Sequence, residues 1–152
     1  MLSPEDRSSL LQLARQAVKL ASEDQPLPAA QTQEHSASLQ DPGCAFVTLT
    51  RQGALRGCIG GLEARQPLAA DVWEHAYAAA REDPRFEPVR PEELDSLHIE
   101  VSRLTTPTPL DVPPEQRPTA LRPGLDGVIL RRGLRRATFL PQVWEKVPDT
   151  IE

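Results

Sequence analysis

The chain is 152 residues long, 39% hydrophobic and 26% charged, and its 17 Lys+Arg against 22 Asp+Glu give a formal net charge of −5. That length is one domain's worth of chain, and the acidic balance excludes a general field for drawing in nucleic acid or an anionic membrane. No run approaches the ~18 apolar residues of a membrane span, and the acidic start, Met1 to Arg7, has no apolar signal region, so the expected location is cytoplasmic.

Ser3-Pro4 followed by Asp6 predicts a helix start, with Ser3 as N-cap and Pro4 at the first helical position. Leu10, Ala14, Ala17 and Ala21 recur at helical spacing, with Leu11 and Val18 widening the stripe, which carries the helix to about Ala21. From Asp24 to Gly43 the chain is polar and interrupted by proline, and it reads as a long loop that folds back on the domain or moves.

Cys44 to Thr50 is rich in strand formers and returns as Ala54 to Gly60 through Arg51-Gln52-Gly53, read as a three-residue hairpin loop. In that register Thr48 faces Arg56 and Phe46 faces Cys58, so Arg56 and Cys58 share a face opposite an apolar side of Ala45, Val47, Leu49, Gly57 and Ile59. Cys44 and Cys58 are then diagonal neighbours about 7–8 Å apart, too far for an unstrained disulfide. Two cysteines with no nearby His or Cys spacing argue for free thiols and give no metal site.

Gln66 to Asp83 predicts a second helix with a stripe of Leu68, Val72, Ala76 and Ala79 that includes His75. Leu97 to Leu104 alternates as a half-buried strand with Glu100 and Ser102 on its polar side. Thr105 to Pro123 is a proline-rich traverse, and a last hairpin joins Gly127–Leu130 to Ala137–Leu140 around Gly133, after which no closing element follows Trp144.

Several strings, in order, resemble the AMMECR domain family, also called protein A of the AmmeMemoRadiSam system. They are Leu55-Arg56-Gly57-Cys58-Ile59-Gly60, Ala78-Ala79-Ala80 leading into Asp83-Pro84-Arg85-Phe86, Ile99-Glu100-Val101-Ser102, Asp126 to Leu130, and Phe139-Leu140-Pro141-Gln142-Val143. The resemblance implies an α+β fold with an antiparallel sheet flanked by helices, a smaller subdomain and a cleft between them floored by the Leu-Arg-Gly-Cys-Ile-Gly string. It implies one domain over residues 1–152 that lacks the family's usual C-terminal helical segment. It also implies a pathway shared with a Memo-like and a radical SAM protein, and no settled activity. Relatives often carry Asn where this chain has His75, so no role transfers to that histidine.

Cys58 is the candidate nucleophile, with the Arg56 guanidinium placed to stabilise its thiolate; the competing reading is a small buried hydrophobe packed on Phe46. Gly57 and Gly60, flanking it in a strand, fit a close approach by a ligand or another backbone. Glu100 is read as a base or as the ion-pair partner of Arg56, with Ser102 beside it. Arg85 either stabilises a helix end or presents a guanidinium to an anion. The leading expectation is a small anionic or peptide ligand bound around Arg56, Gly57, Cys58, Gly60, Arg85 and Ser102, without metal or cofactor. A protein-interaction adaptor is the alternative. Nucleic-acid binding through Arg131, Arg132, Arg135 and Arg136 ranks last, because no aromatic residue is interleaved and the net charge is negative.

Overall fold

The computed structural model describes residues 1–146, so the reading of the chain beyond them lies outside the described residues. The chain divides into two compact units, Met1–Thr105 and Thr106–Glu152. Both contain helical turns and antiparallel strands, which makes the fold α+β as expected.

In the first unit, helix α1 spans Pro4–Ser22. Its start is closed reciprocally, with the Asp6 N–H donating to Ser3 Oγ at 3.1 Å and the Ser3 N–H donating to the Asp6 carboxylate at 3.2 Å. Leu10, Ala14, Ala17, Val18 and Ala21 are buried. Leu11 does not join them; it is 44% exposed, because the small alanines, with no bulk of their own, bring α1 close to its neighbour along a narrow face. The following loop folds back through a 3-10 turn, Thr32–Glu34, and a short helix α2, Ala37–Gln40, whose Leu39 is fully buried. Trp73 Nε1–H and Tyr77 O–H tie it down by donating to the carbonyls of Pro28 and Gln25.

Strand β1 (Pro42–Gly43) pairs with β4 (Gln66–Pro67) in a two-residue ladder. That pairing holds the backbone extended, so helix α3 covers Leu68–Arg81, two residues later than its apolar period suggested. Its stripe of Leu68, Val72, Ala76 and Ala79 is buried as expected. Strands β2 (Ala45–Arg51), β3 (Ala54–Gly60) and β5 (Leu97–Arg103) form an antiparallel sheet in the order β3-β2-β5.

The β2–β3 register differs from the one read in the sequence. The turn holds two residues, Gln52 and Gly53, both at positive φ (51° and 77°), as in a type I′ turn, so Arg51 rather than Thr50 faces Ala54. A bulge then leaves Arg56 between the pairs Thr50–Leu55 and Leu49–Gly57. Each event shifts the pairing by one residue in the same direction. Thr48 therefore faces Cys58, not Arg56, and Phe46 faces Gly60, not Cys58. Because a shift of two preserves side-chain alternation, Val47, Leu49, Gly57 and Ile59 still lie on the inner side. Cys44 stands four positions along β2 from the partner of Cys58, about 13 Å away and not diagonal to it.

Gly57 sits where α3 crosses the sheet: a Cβ there would stand 2.1 Å from the Ala79 carbonyl oxygen. Gly60 lies under the Phe46 ring, with Phe46 Cγ 2.4 Å from where its Cβ would be. Packing thus accounts for both glycines without a ligand. Gly57→Ala is expected to cost about 1–3 kcal/mol or more by forcing helix and strand apart, measured as a lowered urea midpoint. An unchanged midpoint would refute that packing role.

The second unit holds a 3-10 turn (Pro114–Gln116), helix α4 (Arg117–Ala120), the hairpin β6–β7 (Val128–Arg132 and Arg135–Phe139) and a 3-10 stretch, Pro141–Lys146. Trp144 Nε1–H donates to the Asp126 carbonyl at 2.8 Å, tying that last stretch to the start of the hairpin.

Candidate functional site

The alternation that buries Val47, Leu49 and Ile99 against α1 and α3 turns Thr48, Cys58 and Glu100 to the other side. Thr48 faces Cys58 on one neighbour and Glu100 on the other, so the three form a row across the sheet. Phe46, Gly60 and Ser102 form the next row. The sheet thereby brings Cys58, Glu100 and Ser102 to one surface. Cys58 Sγ lies 3.3 Å from Thr48 Oγ1, and the Ser102 hydroxyl donates to Glu100 at 3.1 Å.

Strand β3 is an edge, and the Cys58 peptide would otherwise present its N–H outward. It donates instead to Asp83 Oδ2 at 2.9 Å. Asp83 is 4% exposed and also accepts from Arg85 Nε at 3.0 Å, Arg85 Nη2 at 2.8 Å and the Arg85 backbone N–H at 3.1 Å. Arg85 Nη2 reaches on to the Cys58 carbonyl at 3.4 Å. An acidic and a basic side chain thus bracket one peptide as a neighbouring strand would. Hydrogen bonds from Arg85, opposed by burial, hold the Asp83 carboxyl well below the usual carboxylate range. Arg85 is shifted upward chiefly by Asp83, and the charge of Cys58 contributes in the same direction. The Arg85 side chain stays 54% exposed, with its guanidinium carbon 5.5 Å from the centre of the Phe86 ring.

Arg56 is elsewhere. Its Nε and Nη2 donate to Glu93 at 2.9 and 3.1 Å, and its Nη1 and Nη2 donate to the carbonyls of Glu87 and Pro88. The bulge turns it out of the Cys58 row, so its ion-pair partner is Glu93 and not Glu100, and the cation beside Cys58 is Arg85. Glu93 also accepts from Arg51 Nη1 and the Arg90 backbone N–H. A surface hollow of about 550 Å³ opens beside Arg51, Arg56, Arg90 and Glu93, and Cys58 does not line it.

His75 lies on the helix side, where its Nδ1–H donates to Asp71 Oδ2 at 3.1 Å and its ring covers Gly61. Asp71 is 3% exposed and accepts the Ala45 N–H at 2.8 Å as well, and its bond to His75 raises the pKa of the imidazole. Cys58 points the opposite way, so no Cys–His pair forms. His98 shares the outward surface but stands two strands over and two residues along from Cys58, about 12 Å away. Burial, followed by the charge of Asp71, pushes the Cys44 thiol up. Among the described residues, no three His, Cys, Asp or Glu side chains gather as metal ligands would.

Asp83, Glu93 and Asp71 are the residues that sequence reasoning missed. Asp83 stood inside the Asp-Pro-Arg-Phe string, two residues before Arg85, a spacing that lets a carboxylate fork onto the guanidinium. Local spacing marked only the Asp71–His75 and Arg90–Glu93 pairs, and the contacts of Glu93 with Arg51 and Arg56 and of Asp71 with Ala45 had no local signal.

The chain is similar to known proteins in sequence and in fold. The AMMECR1 family model matches residues 11–152. A Methanothermobacter thermautotrophicus protein is 52% identical over 99 residues, covering 64% of this chain and 52% of its own length. A Methanosarcina barkeri protein is 36% identical over all of this chain and 77% of its own length. The crystal structure of an uncharacterized Pyrococcus horikoshii protein superposes with a TM-score of 0.80 at 38% identity, covering 88% of this chain and 68% of that one. The fold is thus that of an α+β protein with a known structural relative, and the chain belongs to the AMMECR1 family. It spans about half the length of several curated relatives that it matches. Among the described residues no helix is long and apolar enough to cross a membrane.

Glu93 allows a check on the Arg56 network. Its pKa is lowered from 4.5 to about 2, first by the Arg56 hydrogen bonds. A depressed folded pKa stabilises above the unfolded value and is lost as pH falls through the folded one. Glu93→Gln is therefore expected to be less stable than the parent at pH 7, with the gap in urea midpoint closing between pH 4.5 and about 2. A gap that does not vary with pH would refute the ion-pair account.

Proposed function

We propose that the protein binds a small anionic or peptide ligand on the outward surface of its β3-β2-β5 sheet, with Arg85 holding the anionic group and the Cys58 thiol beside it. The observation that carries this reading is the Asp83 bracket, which fixes the Cys58 peptide and the Arg85 guanidinium together while leaving much of Arg85 in solvent. A guanidinium oriented from behind by a carboxylate has already lost much of its rotamer freedom, which lowers the cost of engaging carboxylate or phosphate oxygens. Glu100 and Ser102, one strand beyond Thr48, supply an acceptor and a hydroxyl at the far end of a bound ligand. Gly60, under Phe46, keeps the surface low between them. Gly57 supports this surface from behind rather than lining it, and Arg56 belongs to the Glu93 network.

Cys58 gives the surface a nucleophile that is active as the thiolate, with the Arg85 guanidinium beside its backbone. Glu100 is its candidate base, working across Thr48. The cellular setting is a cytoplasmic pathway with Memo-like and radical SAM proteins, a reading supported by the family membership alone.

The charge at the surface is measurable through Cys58 itself in a Cys44→Ser background. Anionic iodoacetate is expected to react faster relative to neutral iodoacetamide than it does with a free thiol, and Arg85→Gln is expected to reduce that ratio several-fold. Inorganic phosphate is expected to protect Cys58 from iodoacetamide in the parent and not in Arg85→Gln. An unchanged ratio together with no protection would overturn the reading.

A further inference from the structure

The second unit carries an unbalanced charge that the surface around Cys58 does not use. In the β6–β7 ribbon, Arg131 directly faces Arg136 and Arg132 directly faces Arg135. Like charges opposed across a strand pair repel each other. Val128 to Phe139 contains these four arginines and no acidic residue, and all four are exposed without an ion-pair partner among the described residues.

Strand alternation divides the ribbon into two unlike faces. One carries Val128, Leu130 and Arg132 opposite Phe139, Ala137 and Arg135. On it Leu130 is 56% and Phe139 44% exposed, so an apolar strip runs directly into a guanidinium pair at the turn end. The other carries Ile129 and Thr138, with Arg131 and Arg136. At the turn between them, Gly133 takes a positive φ of 60° and Leu134 is fully exposed. The apolar strip and the unpaired cations therefore coincide on one side only.

We infer that the face of Leu130, Phe139, Arg132 and Arg135 is a docking surface for an extended, acidic protein segment in which carboxylates and apolar side chains lie close together. The partner's apolar groups cover Leu130 and Phe139, and its carboxylates take the Arg132 and Arg135 forks, which relieves the repulsion between them. The complementarity of charge names the partner, and the apolar strip favours protein over nucleic acid, whose interfaces are more polar and rest largely on phosphate and sugar contacts.

The test uses the whole chain and a fluorescent peptide of roughly ten residues that alternates glutamate with leucine, followed by anisotropy. Arg132→Gln with Arg135→Gln is expected to weaken binding by about tenfold or more, and Leu130→Ser by several-fold. Arg131→Gln with Arg136→Gln removes the same charge from the other face and is expected to change affinity by less than about threefold. It also controls for net charge and folding. Equal losses from the two arginine pairs would overturn the inference by reducing it to unspecific attraction. So would tighter binding of a labelled DNA duplex than of the peptide, or no binding of the peptide by the parent chain.

Discussion

The Asp83 carboxylate is the interaction on which the arrangement around Cys58 rests. A carboxylate this deeply buried is costly unless nearly every lone pair meets a donor. Asp83 meets that condition with three N–H groups of Arg85 and one of Cys58. The consequence reaches beyond electrostatic balance. Four donors from two segments can be satisfied together only when the turn after α3 and the middle of β3 lie side by side, so Asp83 fixes the position of Cys58 relative to Arg85. It also closes one peptide of an edge strand that would otherwise be open to pairing.

Close packing sets the other half of the geometry. Gly57 lets the Ala79 carbonyl approach β3 at a distance no side chain would permit, and the alanines of α1 and α3 bring those two helices together without bulk. With the inner side of the sheet filled in this way, alternation leaves Thr48, Cys58 and Glu100 on the outer side. Arg56 escapes the alternation only because a bulge places it between two pairs. A single extra residue thus assigns the two arginines nearest Cys58 in sequence and space to different tasks, Arg56 to the Glu93 network and Arg85 to the Cys58 surface.

Much of the fold was legible in the sequence because it follows from period. The Ser3 cap, the α1 and α3 stripes, the alternation of β5 and both hairpins were visible, and with them the membership of Cys58, Glu100 and Ser102 in one surface. The β2–β3 register was not, since Gln52 gives no signal that it takes a positive φ and a bulge at Arg56 leaves no mark on apolar alternation. The faces of Gly57, Cys58 and Ile59 survived because the two errors summed to an even shift, whereas Arg56, inside the bulge, lost the place beside Cys58 that the sequence had suggested. The partners of Arg56 and the roles of Asp83, Glu93 and Asp71 were hidden for a different reason. Each depends on contacts between segments distant in sequence, such as Asp83 with Cys58 and Asp71 with Ala45, which local pattern does not encode.

The most direct measurement is amide hydrogen exchange at Cys58 by NMR in the parent and in Asp83→Ala. The Cys58 N–H faces away from β2, so protection there requires an acceptor outside the sheet. A protected amide in the parent that becomes fast in Asp83→Ala, while the Val47 and Ile59 amides stay slow, is the predicted result. Fast exchange at Cys58 in the parent would contradict the account, because Asp83 would then not hold the Cys58 peptide and Arg85 would have no fixed place beside it.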